Sequence, residues 1–160
     1  RDFFNPNKQK VVFEIKSAIE KSLKFMGNQF EINRVKVNLE VCDEKVFGIE
    51  TELEQVILNI INNSIDAFKE QEIKNKEINI TILSKQSYTV LILEDNAGGV
   101  KIENLEKIFD PYYTTKSTGT GTGLYMAKLV VKNSLQGDLK INNSEKGLRY
   151  IIALPQEEEI

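Results

Sequence analysis

Between Thr51 and Glu70 the apolar residues recur at helical spacing and cover most of a helix surface: Val56, Ile57, Ile60, Ile61, Ile65 and Phe68, with the small Ser64 among them. A helix with so wide an apolar arc is stable only when other elements enclose it. One narrow polar line remains, formed by Gln55, Asn59, Asn63 and Asp66 at i, i+4, i+8 and i+11. Asparagine is a mediocre helix former, because its amide competes with the backbone for hydrogen bonds. Solvent-facing positions more often carry Lys or Glu. The plain reading is a wet edge on a buried helix. The alternative is a line of amides facing a cleft, where an amide oxygen offers a neutral, hard ligand suited to Mg2+. Asn62 lies off the line and reads as a surface residue. Thr51 is the expected N-cap, with Glu54 completing a capping box.

The elements around this helix predict the fold class. "FEIKSAIEKSLKFM" has Ile15, Ala18, Ile19, Leu23 and Met26 at helical spacing, and "GLYMAKLVVKNSL" reads as a third helix. "VKVNLEV" alternates as a strand, and "KVFGI" reads as a short one. "EINITILS" and "YTVLILED" flank a polar turn and read as a hairpin; "DLKINNS" and "LRYIIALP" form a closing pair ended by Pro155. Three main helices and five or six strands in mixed order predict an α+β domain, with helices on one face of a largely antiparallel sheet. The expected division is a linker or the end of an earlier helix over 1–10, one domain over 11–156, and an acidic tail over 157–160. A length of 160 residues with 41% apolar side chains is enough for one buried core.

Charge and composition exclude some functions. The net charge of -3 provides no basic field, so nucleic acid is not an expected partner. No apolar run approaches the roughly 18 residues of a membrane span, and no signal peptide is visible. The chain contains no histidine, which excludes histidine metal sites and Ser-His triads. Its single Cys42 cannot form an internal disulfide and fits a reducing compartment. Because it opens at Arg1, the chain is expected to be a piece of a longer protein.

Three loops carry the remaining signals. "LEDNAGGV" sets Asp95 at the end of an apolar strand, before a glycine turn. It reads either as simple turn chemistry or as a carboxylate at a pocket mouth, with glycines that let a ligand approach the backbone. "GTGTGLYMAK" sets Gly119, Gly121 and Gly123 before a helix, as a flexible linker or an anion site. It is not a P-loop, since no Gly-Lys-Ser/Thr follows, and no βαβ context makes it a dinucleotide fingerprint. In "IFDPYYTTK", Phe109 reads as a core residue, and Lys116 as either a phosphate cation or a solvated lysine.

In order, these segments resemble the catalytic and ATP-binding domain of sensor histidine kinases, over about two thirds of the chain. "QVILNIINNSIDAF" resembles the N box, "EDNAGGV" the first glycine box, "IFDPYYTTK" the F box, "GTGTGLYMAK" the second glycine box, and "KGLRYIIALP" the closing strand. The opening "RDFFNPNKQKVVFEIKSAIEKSL" resembles the passage out of a kinase dimerisation helix. The resemblance implies the Bergerat fold, a two-layer α/β sandwich holding Mg-ATP between its helices and a lid. Carried over by position, Asn63 coordinates Mg2+, Asn59 meets the phosphate region and Asp95 takes the adenine amino group. Gly99, Gly121 and Gly123 shape the pocket, and Leu124 lies near the nucleotide. Ala97, Val100, Tyr113, Thr114, Lys116, Gly119 and Thr122 complete the implied ATP-binding set, with Val100 to Thr122 as the lid. The implied partners are the kinase's own dimerisation domain and a response regulator. The implied location is the cytoplasm, with no membrane contact by this domain.

The sequence departs from the family pattern at several points. Ala97 stands where the first glycine of its box is usual, and a positive φ there would cost on the order of 1 kcal/mol. Thr122 replaces a leucine, "GLRY" lacks a threonine, and Asp66-Ala67 replaces Lys-Tyr, as in kinases resembling the nitrogen-regulation group. Topoisomerases, mismatch-repair proteins and heat-shock chaperones of the same fold activate water with a glutamate four residues before the metal-binding asparagine. That position is Asn59 here, and an amide is no general base at neutral pH. The alternatives are an anti-sigma-type protein-serine kinase, a Bergerat-fold ATPase, and a binding module that has lost catalysis.

Overall fold

A computed structural model describes residues 9–100, 102–110 and 123–156. Helix α3 (Glu50–Glu70) runs through the middle of the core, and Leu53, Val56, Ile57, Ile60, Ile61, Ser64, Ile65 and Phe68 are all buried along it. It is flanked by α1 (Ile15–Phe25) on one side and by α5 (Gly123–Leu129) on the other. Two further short helices, α2 (Gly27–Asn33) and α4 (Ile102–Leu105), complete the α-helices among the described residues. The chain of α5 continues into a π-helical turn, Val130–Ser134, in which Leu135 N donates to Val130 O at 3.0 Å.

Seven strands are present among the described residues: β1 (Val11–Glu14), β2 (Lys36–Glu40), β3 (Lys45–Gly48), β4 (Glu77–Lys85), β5 (Tyr88–Asp95), β6 (Asp138–Asn143) and β7 (Leu148–Pro155). Five form the main sheet in the order β2-β4-β5-β7-β6, with β2 parallel to β4 and every other pair antiparallel. Strands β1 and β3 pair separately as an antiparallel ribbon. This is the expected α+β architecture, a two-layer sandwich of helices on a mostly antiparallel sheet.

Strand alternation sets which side chains meet the helices. Thr89, Leu91, Leu93 and Asp95 of β5 are buried, opposite Leu154, Ile152 and Tyr150 of β7 and Ile82, Ile80 and Ile78 of β4. The intervening residues form the other face, where Glu94 and Arg149 are direct cross-strand partners and pair at 2.8 Å. Because the period is two, a one-residue slip would turn Asp95 and Tyr150 away from the helices.

Several expectations are corrected. Helix α3 begins at Glu50 with extended Ile49 at the N-cap and no side-chain cap there, so Thr51 lies inside the first turn rather than at the N-cap. Tertiary contacts anchor that end instead. Glu50 accepts from Ser17 Oγ at 2.8 Å and pairs with Lys21 at 3.0 Å, tying the start of α3 to α1. Glu52, buried in the same turn, accepts from Ser134 Oγ. Strand β1 takes Phe13 and Glu14 from the segment expected to be helical, and α2 was not anticipated. No described helix is long and apolar enough to cross a membrane.

Candidate functional site

The polar line on α3 leads to the ends of the central strands. Asp95, the last residue of β5, is only 5% exposed. Its Oδ2 accepts from Ser64 Oγ at 2.5 Å, and its Oδ1 accepts from the backbone N–H groups of Ala97 at 3.0 Å and Leu148 at 3.2 Å. A buried carboxylate costs heavily unless so satisfied. Asp95 thus joins α3, the glycine turn and β7.

One residue before Ser64, Asn63 Nδ2 donates to the hydroxyl of Tyr150 on β7. The Tyr150 side chain is fully buried. Burial, then the negative charge of Asp95, push its ionisation above the usual tyrosine range, against the smaller opposing effect of the Asn63 hydrogen bond. The fold therefore keeps the neutral phenol. Above about pH 10 the unfolded chain releases a proton that the folded chain retains, so stability should fall as pH rises through that region. Urea denaturation between about pH 9.5 and 11 should show a shallower decline for Tyr150→Phe than for the wild type.

Asn59, one turn earlier, is held at both ends of its amide. Its Oδ1 accepts from Gln55 Nε2 at 3.0 Å, and its Nδ2 donates to the Gly123 carbonyl, the first residue of α5, at 3.1 Å. Leu124 and Ala127 then bury themselves in the core. Asn62 is exposed, as expected for a residue off the line.

The glycine turn after Asp95 has its left-handed positions at Gly98 (φ 99) and Gly99 (φ 71), while Ala97 has ordinary φ and is buried. The expected strain at Ala97 therefore does not arise. Gly98 N donates to Lys146 O at 2.8 Å. Asn143 on β6 clamps the turn's exit: Val100 N donates to its Oδ1 at 3.0 Å, and its Nδ2 donates to Val100 O at 2.8 Å. Gly147 lies against Asp95, where a Cβ would stand 2.0 Å from the Asp95 carbonyl oxygen.

Of the sequence-predicted residues, the structure brings together Asn59, Asn63, Asp95, Ala97, Gly99, Val100, Gly123 and Leu124. Tyr113, Thr114, Lys116, Gly119, Gly121 and Thr122, with most of the expected lid, lie outside the described residues. Phe109 packs against the core as expected, with Lys128 Nζ 4.3 Å from its ring centroid. Sequence reasoning missed Ser64, Asn143, Gly147 and Tyr150. Only the adjacency of Ser64 to Asn63 and the Gly147 in "KGLRY" gave any signal.

No cluster of three acidic, histidine or cysteine residues able to hold a metal occurs among the described residues. The donor set fits a cation that takes few protein ligands beside water and phosphate oxygens. Asn63 commits its Nδ2 to Tyr150, which leaves Oδ1 as the available hard oxygen.

The strand order, the buried carboxylate at the end of β5 and the asparagine helix above it define a two-layer α/β sandwich with a polar corner between its layers. The chain belongs to the histidine kinase-, DNA gyrase B-, and HSP90-like ATPases, whose family model matches residues 48–158. Sporulation kinase B of Bacillus subtilis (strain 168) is 29% identical over 153 residues, covering 93% of this chain and 34% of its own length. The nucleotide-free catalytic domain of histidine kinase ThkA superposes with a TM-score of 0.82 at 24% identity, over 93% of this chain and 97% of that one. A structure of ThkA in complex with the response regulator protein TrrA superposes with a TM-score of 0.77 at 22% identity, over 92% of this chain and 42% of that one. The chain thus spans about a third of the length of the sporulation kinase. The fold it shares with the ThkA domain is that of a histidine kinase catalytic domain.

Proposed function

We propose that this domain binds Mg-ATP between α3 and its glycine turns and donates the γ-phosphate to a histidine on a dimerisation domain outside this chain. The single observation carrying the kinase reading is Asn59. It occupies the place of a water-activating base, and its amide is already bonded to Gln55 and Gly123. A group that cannot accept a proton and is held at both ends leaves water without a base at that position.

In this reading Asp95 accepts from the adenine amino group, alongside the donors it already holds. Asn63 Oδ1 is the one protein ligand to Mg2+, and Asn59 lies toward the phosphates. The metal supplies charge neutralisation on the phosphate oxygens. Transfer breaks the bond from the γ-phosphorus to the bridging oxygen and forms a bond from phosphorus to the imidazole nitrogen. ADP leaves with the electron pair, and the imidazole proton passes to a base on the acceptor's own domain. The chain has no histidine, so the acceptor lies elsewhere. In the same reading residues 1–10 are taken as the end of a dimerisation helix or a linker, 11–156 as the catalytic and ATP-binding domain, and 157–160 as an acidic tail. The ATP-binding set that the resemblance implies also includes Tyr113, Thr114, Lys116, Gly119, Gly121 and Thr122, which lie outside the described residues. A response regulator then takes the phosphoryl group, and the domain works in the cytoplasm.

The test is labelled ATP with this chain and a separately made dimerisation domain from the same parent. Acid-labile label is expected on the added domain and none on this chain. Asn63→Ala should reduce transfer on the order of 100-fold. Acid-stable label on a serine or threonine of a partner would replace the reading with a protein-serine kinase. Fast multiple-turnover hydrolysis without acceptor would replace it with an ATPase.

A further inference from the structure

The contact between Asn63 and Tyr150 lies where α3 crosses β7, and it bears on how the metal ligand is presented. A side-chain amide has a hard oxygen on one side and an N–H donor group on the other. Turned one way it can hold a cation; turned by half a rotation it repels one. Asn63 Nδ2 donates to the Tyr150 hydroxyl, so Oδ1 is the end left unclaimed by that contact. Tyr150 is itself a fixed reference point. Its side chain is fully buried, and its neighbours across the sheet are Leu93 on β5 and Ile141 on β6. The next helix residue, Ser64, bonds Asp95 on the adjoining strand, so the backbone of α3 is pinned at this level as well.

Resting on the reading of Asn63 as metal ligand, we propose that the Tyr150 hydroxyl is a positioning group that holds the Asn63 amide with its oxygen toward the metal and thereby sets the Mg2+ requirement of nucleotide binding. Tyr150 touches neither nucleotide nor metal in this scheme. It acts by accepting from Asn63 Nδ2, which favours the amide orientation that leaves Oδ1 unclaimed. Ordering a ligand in advance lowers the cost of binding.

The experiment uses Tyr150→Phe, which keeps the ring and removes only the hydroxyl. Binding of a non-hydrolysable ATP analogue is followed by calorimetry across a Mg2+ titration, and again in chelator. The Mg2+ concentration giving half-maximal tightening should rise about five-fold, the weight of one ordinary hydrogen bond. Affinity in chelator should match the wild type. In the protein without nucleotide, the Asn63 side-chain amide protons should exchange with water faster in Tyr150→Phe. A second background keeps the test independent of any loss of packing. In Asn63→Asp the carboxylate presents an oxygen whichever way it turns, so adding Tyr150→Phe should leave the Mg2+ requirement where Asn63→Asp alone puts it. An equal rise in both backgrounds would reduce Tyr150 to a packing residue and overturn the proposal. So would an unchanged requirement in Tyr150→Phe where Asn63→Ala raises it. If Asn63→Ala itself leaves the Mg2+ requirement unchanged, the metal-ligand reading fails and carries this proposal with it, a pattern distinct from the other two.

Discussion

Gly147→Ala is expected to destabilise the domain by about 3 kcal/mol and to remove measurable nucleotide binding. The new Cβ would stand 2.0 Å from the Asp95 carbonyl oxygen and 2.5 Å from its Oδ1. Neither neighbour can yield cheaply. The carbonyl belongs to the end of a central strand, and the carboxylate is held by Ser64, Ala97 and Leu148. Relief therefore requires β5 and β7 to part at their ends, where the proposed adenine partner sits. Denaturant midpoints and calorimetry with an ATP analogue read the two losses. Gly27→Ala is the control: a Cβ there meets nothing within 4 Å, and its effect should stay within about 1 kcal/mol. Wild-type affinity in Gly147→Ala would show that the Asp95 corner tolerates displacement.

Asp95 should respond very differently to two substitutions. Asp95→Ala takes the acceptor away from Ser64 Oγ, Ala97 N and Leu148 N together. Buried donors left without partners cost about 1–3 kcal/mol each. The expected result is a loss of several kcal/mol, enough to confuse failed binding with failed folding. Asp95→Asn is the sharper variant. Its amide oxygen can keep the two backbone donors, and Ser64 Oγ can turn to accept from the new NH2. Stability should fall by only about 1–2 kcal/mol. ATP affinity should fall about 10-fold or more, because an NH2 now faces the adenine amino group. If Asp95→Asn binds ATP like the wild type, the residue is a structural cross-link and nothing more.

The parts that could be read in advance were those with strong local periodicity. Helix α3 was legible because its buried residues recur at 3.6, and β4 and β5 because buried and exposed residues alternate. Helix α2 was not, because none of its residues is buried and its sequence GNQFEIN carries poor helix formers. Of strand β1, Phe13 and Glu14 read as part of the next helix and Val11 and Val12 do not read as strand, since both valines are exposed and leave no alternation to read. Thr51 is not the N-cap because the helix starts one residue earlier, at Glu50, which is held by Ser17, 33 residues upstream, and by Lys21. Asn59, Asn63 and Asp95 could be singled out from residue type and position. Tyr150 and Gly147 could not, because their meaning lies in contacts with Asn63, 87 residues away, and with Asp95.

Asn63 and Ser64 are neighbours in the chain but clasp different strands, β7 and β5, while Asn59 reaches to α5. The consequence concerns length rather than chemistry. One inserted residue between Asn59 and Asn63 would swing Asn59 about 100° around the helix and shift it 1.5 Å along the axis. Either Asn59 would lose Gly123, or Asn63 and Ser64 would lose their strands. A substitution in this stretch alters one contact, whereas a change in the number of residues displaces several together. The connection from Val41 to Glu44 touches none of these residues: its contacts are Cys42 Sγ to the Ile82 carbonyl at 3.4 Å, Ile15 N to the Glu44 carbonyl at 3.0 Å, and Val41 at the edge of the core. In homologous chains, insertions and deletions should collect in connections of that kind and stop short of Asn59 to Ser64, where helix α3 works as a ruler.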